Sequence, residues 1–269
     1  MKKRLILAVS AGIFCAALIL AISVETLTVK NEAPAYHPIS SNSFLPVESK
    51  EEKNEEEPEK TLTVYLTFDD GPYQYTEKLL ESLDELGVKA TFFVTDQNPQ
   101  YRKLIRSEAE RGHSVGIHTA SHIYRRIYRG DEEFRKDFSD MQSVITRFMG
   151  KPATIYRFPG GSSNTVSSTY CEGIVSRMAE ELTEKGYVLF DWDIDAGDCE
   201  PELTAQDVFE NVTGQLADFE GEHAVVLMHD IYEWTVDAVP MIVSWGKEHG
   251  CTFAALAASS PPCRLEIQN

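Results

Sequence analysis

Between residues 61 and 257 the chain repeats one pattern, a short apolar run followed by a stretch with helical spacing, and nothing else in it restricts the fold as much. The runs fall at 62–68, 89–95, 114–118, 154–158, 187–192, 224–229 and 251–257. The first alternates Leu62, Val64 and Leu66 with Thr63, Tyr65 and Thr67, the period of a strand. Between the runs lie helical patterns such as Leu79, Leu80, Leu83 and Leu86 ended by Gly87, or Val208, Val212 and Leu216 after a capping Thr204. The connection after the third run is longer, and its helix is expected to begin near Asp131. Seven strand-then-helix units predict an α/β domain with a parallel sheet, most simply a distorted or incomplete (β/α)7 barrel. Such barrels carry their active sites at the C-terminal ends of the strands.

What precedes this domain is of a different kind. Lys2-Lys3-Arg4 is followed by Leu5 to Val24, twenty residues without a charge. That length predicts a membrane-spanning signal-anchor helix over 1–24, with a cytoplasmic N-terminus and an extracytoplasmic domain. A cleaved signal peptide would instead give a secreted protein, but no A-x-A-like site follows the apolar stretch. Residues 25–60 contain Pro34, Pro38, Pro46, Pro58 and a Glu-rich run from Glu48 to Glu59, a composition expected to form a solvated, disordered stalk. Fully extended, it would reach at most ~120 Å.

The domain itself, 61–269, has 34 acidic and 18 basic residues, a net charge of −16. That surface argues against nucleic acid as a partner and is compatible with neutral or cationic sugar polymers. Cys171, Cys199, Cys251 and Cys263 permit two disulfides in three pairings, among which the sequence does not choose, and their spacing fits no zinc ribbon.

Polar groups collect at the ends of the predicted strands. The first runs into Asp69-Asp70-Gly71-Pro72, where a turn can aim two carboxylates at one pocket, one to bind a metal and one to stay free as a base. The third runs into His118-Thr119-Ala120-Ser121-His122; histidines four apart on one face of a helical turn can grip one ion. With a carboxylate they make three ligands and leave a position open, the pattern of a catalytic site. Other strands end in Arg157-Phe158-Pro159-Gly160-Gly161, in Leu227-Met228-His229-Asp230 and in the cluster from Asp191 to Asp198. Each alone reads equally well as a turn, a cap, a salt-bridging Arg or a solvated acidic loop. Their arrival together at five strand ends points to a site.

In this order the motifs Thr67-Phe68-Asp69-Asp70, His118 to His122, Arg157 to Gly161, Asp195-Ala196-Gly197-Asp198 and Leu227-Met228-His229 resemble the polysaccharide deacetylases of the NodB-homology, carbohydrate esterase family 4 type. The resemblance implies a distorted (β/α) barrel that removes acetyl groups from N-acetylated sugars with a divalent metal, usually zinc. It implies Asp70, His118 and His122 as metal ligands, Asp69 as general base and His229 as general acid. Arg157 would tune Asp69, keeping it ionised, and Asp198 would hold His229. The backbone of Gly160 would face the oxyanion, with Leu227 beside the substrate.

Two positions depart from the family pattern. Gly160 stands where a Tyr is common, and Cys199 follows Asp198 where a Trp is common, which leaves Asp195 as a rival for the partner of His229. Trp192 and Trp234 are candidate replacements for the missing aromatic, with burial as the ordinary alternative for each. The expectation is an anchored peptidoglycan N-acetylglucosamine deacetylase. Alternatives are a chitin or exopolysaccharide deacetylase, an O-acetyl esterase, or a catalytically silent glycan-binding module.

Overall fold

The computed structural model describes residues 61–269; the apolar segment 1–24 and the stalk 25–60 lie outside the described residues. Among the described residues, no helix is long and apolar enough to cross a membrane.

The strands are β1 (Thr63–Asp69), β2 (Thr91–Val94), β3 (Ser114–Ile117), β4 (Ile155–Tyr156), β5 (Val188–Leu189), β6 (Ile194–Asp195), β7 (His223–His229) and β8 (Thr252–Phe253). The helices are α1 (Thr76–Leu86), α2 (Leu104–Glu110), α3 (Tyr124–Ile127), α4 (Asp131–Met149), α5 (Ile174–Glu184), α6 (Ala205–Ala217) and α7 (Glu233–Glu248). All strand pairs are parallel, in the order β5-β4-β3-β2-β1-β7-β6, with β8 beside the start of β1. The result is a curled parallel sheet wrapped by helices, in which β1 pairs with β2, β7 and β8.

Local chemistry accounts for the helices. In α1, Leu79, Leu80 and Leu83 are buried, and Gly87 ends the helix in the left-handed region at φ 66°, which glycine enters without a Cβ clash. In α6, Thr204 and Asp207 form a reciprocal capping box, and Val208, Val212 and Leu216 face inward. The expected helix at Asp131 begins there, with three acidic residues in its first turn.

The period of two in β1 divides the core. Val64, Leu66 and Phe68 join the large cluster beneath the helices, whereas Tyr65 joins Phe93, Ile155, Phe190, Val225, Leu256 and Cys263 on the other face of the sheet. Gly116 of β3 belongs to this inner layer: a Cβ there would lie 2.5 Å from Phe93 Cδ1.

The barrel departs from seven simple units at one place. The run 187–192 does not end in a helix. The Phe190 amide still bonds to Tyr156 on the β4 side, but the Asp193 amide bonds to Val225 on the β7 side, and β6 follows at once. One continuous segment therefore crosses from one edge of the sheet to the other and closes the barrel.

The C-terminal residues pack along this seam. The Asp191 amide donates to the Cys263 carbonyl, the Leu265 amide to Asp191 Oδ2, and the Gly173 amide to Asn269 Oδ1. Cys171, Cys199, Cys251 and Cys263 are all free thiols.

Candidate active site

The register of β1 against β7 sets Asp69 opposite His229, so a carboxylate and an imidazole share the C-terminal rim of the central pair. Adjacent strand residues normally face opposite ways, but Asp70 leaves the strand with φ 72°. Both carboxylates consequently reach one imidazole: His118 Nε2 lies 3.5 Å from Asp69 Oδ2 and 3.8 Å from Asp70 Oδ1. Gly71 is needed for the turn, because a Cβ there would sit 2.3 Å from Asp230 Oδ1. Asp230, hydrogen-bonded by Thr76, is pushed up to about 7 chiefly by burial.

His118 and His122 meet by another route than the one expected from their spacing. No helical turn joins them; residues 118–123 form a loop, and α3 begins only at Tyr124. Thr119 and His122 adopt φ values of 62° and 51°, a left-handed path that curls the imidazoles to a centroid distance of 5.0 Å. Asp137 of α4 holds the curl by accepting the amides of Ala120 and Ser121 at 2.7 and 2.8 Å.

The donor atoms fit a divalent cation. Asp70 Oδ1, buried and without a hydrogen-bond partner, lies 3.4 Å from His122 Nε2, and the three donors are all within 4.8 Å of one another. His118 Nδ1 faces the Arg157 carbonyl at 3.0 Å; a carbonyl only accepts, so Nδ1 carries the proton and Nε2 offers its lone pair. Burial, reinforced by His122, depresses His118 to about 3, so this imidazole is neutral. Converging lone pairs repel one another without a cation between them.

Arg157 is almost wholly buried and serves both the barrel and Asp69. Its Nε and Nη2 donate to the carbonyls of Phe190 and Asp191 on the crossing segment, and its Nη1 donates to Thr67 Oγ1 and, at 2.9 Å, to Asp69 Oδ1. The guanidinium also lies 4.3 Å from the Phe93 ring centre. Burial raises the Asp69 pKa above its ordinary value, against the lowering effect of the Arg157 charge. Arg157 favours the ionised form of Asp69, as expected, but desolvation opposes it and makes the carboxylate a stronger proton acceptor.

Asp198, not Asp195, meets His229. Its Oδ1 lies 2.8 Å from His229 Nδ1, and its Oδ2 accepts from the His229 amide and from Thr235 Oγ1. Asp195 is exposed and accepts from the Gly197 amide. Burial disfavours the His229 imidazolium, but its hydrogen bonds to Asp198 and Cys199 and the charges of Asp198 and Asp69 outweigh it and raise the pKa well above the usual value.

The cavity, about 430 Å³, is lined by both carboxylates, both imidazoles and His229, together with Gly160, Trp192, Leu227 and Cys199. Tyr124 also lines it, and its hydroxyl lies 2.2 Å from where a Gly160 Cβ would be. It brings an aromatic side chain into the space that a residue with a side chain at 160 would fill. Trp192 faces the cavity, whereas Trp234 stacks on Tyr232 and donates to the Asp198 carbonyl. Sequence reasoning missed Tyr124 and Asp137; neither stands at a motif spacing, and only the fold brings them in. His113 is buried and accepts the Ala90 amide.

A sequence profile described as polysaccharide deacetylase matches residues 56–172. A peptidoglycan-N-acetylglucosamine deacetylase of Bacillus cereus is 33% identical over 197 residues, which is 71% of this chain and 68% of that protein. Among solved structures, the catalytic domain of peptidoglycan N-acetylglucosamine deacetylase from Eubacterium rectale superposes with a TM-score of 0.75 at 45% identity, covering 77% of this chain and 94% of that one. A CE4 esterase from Streptococcus mutans superposes with a TM-score of 0.61 at 30% identity, over 74% and 87% respectively. The chain therefore belongs to the polysaccharide deacetylase family, and it is an enzyme that removes acetyl groups from glycans.

Proposed function

We propose that this enzyme removes the acetyl group from N-acetylglucosamine in peptidoglycan, with zinc held by Asp70, His118 and His122. The observation that carries the proposal is the meeting, in one cavity with these three ligands, of a carboxylate paired to Arg157 and an imidazole paired to Asp198. The relatives named as peptidoglycan N-acetylglucosamine deacetylases support the substrate.

A cation bound by these ligands would polarise the acetamide carbonyl and lower the pKa of water beside it. Asp69 takes the proton of the attacking water, its geometry fixed by Arg157. The Gly160 amide, on a loop braced by Tyr128 Oη and Asn164 Nδ2 at the Pro159 carbonyl, donates to the developing oxyanion, with Leu227 lining the acetyl end. His229, protonated through its bond to Asp198, delivers a proton to the sugar nitrogen, since an amine anion cannot leave unassisted. A glycan-binding module would need neither proton carrier. The apolar segment 5–24 and the stalk complete the proposal: a membrane anchor holding the domain on the extracytoplasmic side, within reach of the wall.

The test is acetate release from peptidoglycan, beside chitin oligomers and an O-acetylated xylan, by the full chain before and after chelation and zinc replacement. Release from peptidoglycan that is lost on chelation and restored by zinc is expected, with Asp69→Asn at least on the order of 10²-fold slower. Preference for chitin or O-acetyl esters would move the substrate elsewhere, and release that survives both chelation and Asp69→Asn would refute the mechanism.

A further inference from the structure

The rim of the cavity carries a second set of metal donors. Asp198 Oδ1, Cys199 Sγ and His229 Nδ1 are mutually close: 2.8 Å between carboxylate and imidazole, 3.5 Å between thiol and imidazole, and 3.8 Å between thiol and carboxylate. We propose that these three residues form an inhibitory site for a thiophilic divalent cation, zinc or cadmium, separate from the site at Asp70, His118 and His122.

The geometry suits such an ion. In a tetrahedral zinc site with ligand distances of about 2.0–2.3 Å, the ligand atoms lie roughly 3.3–3.6 Å from one another. The thiol already stands at that separation from the imidazole; the Asp198–His229 pair has to open by about half an ångström, and the thiol has to approach Asp198 Oδ1 by roughly two to three tenths. The set is also held in place. Thr235 Oγ1 and the His229 amide fix Asp198 Oδ2, and Trp234 Nε1 holds the Asp198 carbonyl, which leaves Oδ1 for the cation. Cys199 is exposed, so an ion can enter from solvent. Ligation releases the thiol proton and the Nδ1 proton to water, and the carboxylate and thiolate together neutralise the dication.

Ligation at Nδ1 would silence His229. The ring would then hold a single proton, at Nε2, and giving it up would leave an imidazolate, so the residue is no longer an acid near neutral pH. The inhibition rests on the proposed role of His229 as proton donor; the binding does not.

The experiment adds cadmium to the full chain already holding one equivalent of zinc. Retained zinc, bound cadmium, the ultraviolet thiolate-to-cadmium absorption and acetate release are followed together. One cadmium per chain is expected to bind beside the zinc, bringing the absorption, while acetate release falls on the order of 10²-fold. Cys199→Ser should keep its zinc and lose both the absorption and the inhibition, whereas Cys171→Ser and Cys251→Ser should behave as the parent. The proposal is overturned if the absorption persists in Cys199→Ser, or if cadmium binds through Cys199 with acetate release undiminished. A chain that releases no acetate even before cadmium is added would count against the deacetylase assignment alone, because absorption and stoichiometry still report the site.

Discussion

At the scale of single residues, His229 and Arg157 show how neighbours set chemistry. The raised pKa of His229 depends on its partners, Asp198 and Cys199 by hydrogen bond and Asp198 and Asp69 by charge. An acid must be protonated to act, so activity is expected to persist above the ordinary imidazole range and to fall as pH rises through the raised pKa. Asp198→Asn removes the negative charge beside the imidazolium, so the alkaline limb of kcat/KM should move to lower pH. A merely structural role for Asp198 would lower the rate without moving that limb. Arg157→Gln removes the partner of a buried carboxylate and strands two carbonyls of the crossing segment. It is expected to cost about 3–5 kcal/mol in denaturant unfolding as well as activity.

At the scale of elements, what was legible in the sequence had a local cause. The Gly87 stop, the Thr204 cap and the alternation of β1 are written in adjacent residues, and each lies where its pattern indicates. The crossing segment was not legible, because a buried stretch that changes strand partners keeps one continuous apolar run and has no period to betray the change. The histidine loop misled for a related reason: a spacing of four suits a helical turn, but Thr119 and His122 sit in left-handed conformations that no spacing announces. Likewise Asp198 and Asp195 could not be ranked from sequence, since both follow the same run and only the register of β6 on β7 separates them.

The strands also make a prediction about an inner glycine. Gly116→Ala would drive a Cβ against Phe93, on which the Arg157 guanidinium lies. Overpacking of this kind costs roughly 1–3 kcal/mol. Thermal unfolding should register that loss, and kcat should fall with it, since Phe93 cannot yield without shifting the partner of Asp69.

At the scale of the whole molecule, the C-terminal residues belong to the barrel and do not trail from it. Cys263 and Leu265 bond to Asp191 in the crossing segment, and Leu256 fills the inner layer. Ending the chain after Ala258 forfeits the bonds at 263, 265 and 269, a loss of roughly 2–4 kcal/mol. For a domain of this size that lowers Tm by roughly 4–16 °C. Acetate release should drop as well, because Asp191 shares the peptide segment that orients Arg157.

The double duty of Arg157 bears on other chains of this fold. A chain of this fold without Asp69 or His229 would still need the guanidinium to bind the carbonyls of its crossing segment. An arginine at this place in another chain therefore speaks for the crossing segment it holds, and not by itself for a reaction beside it.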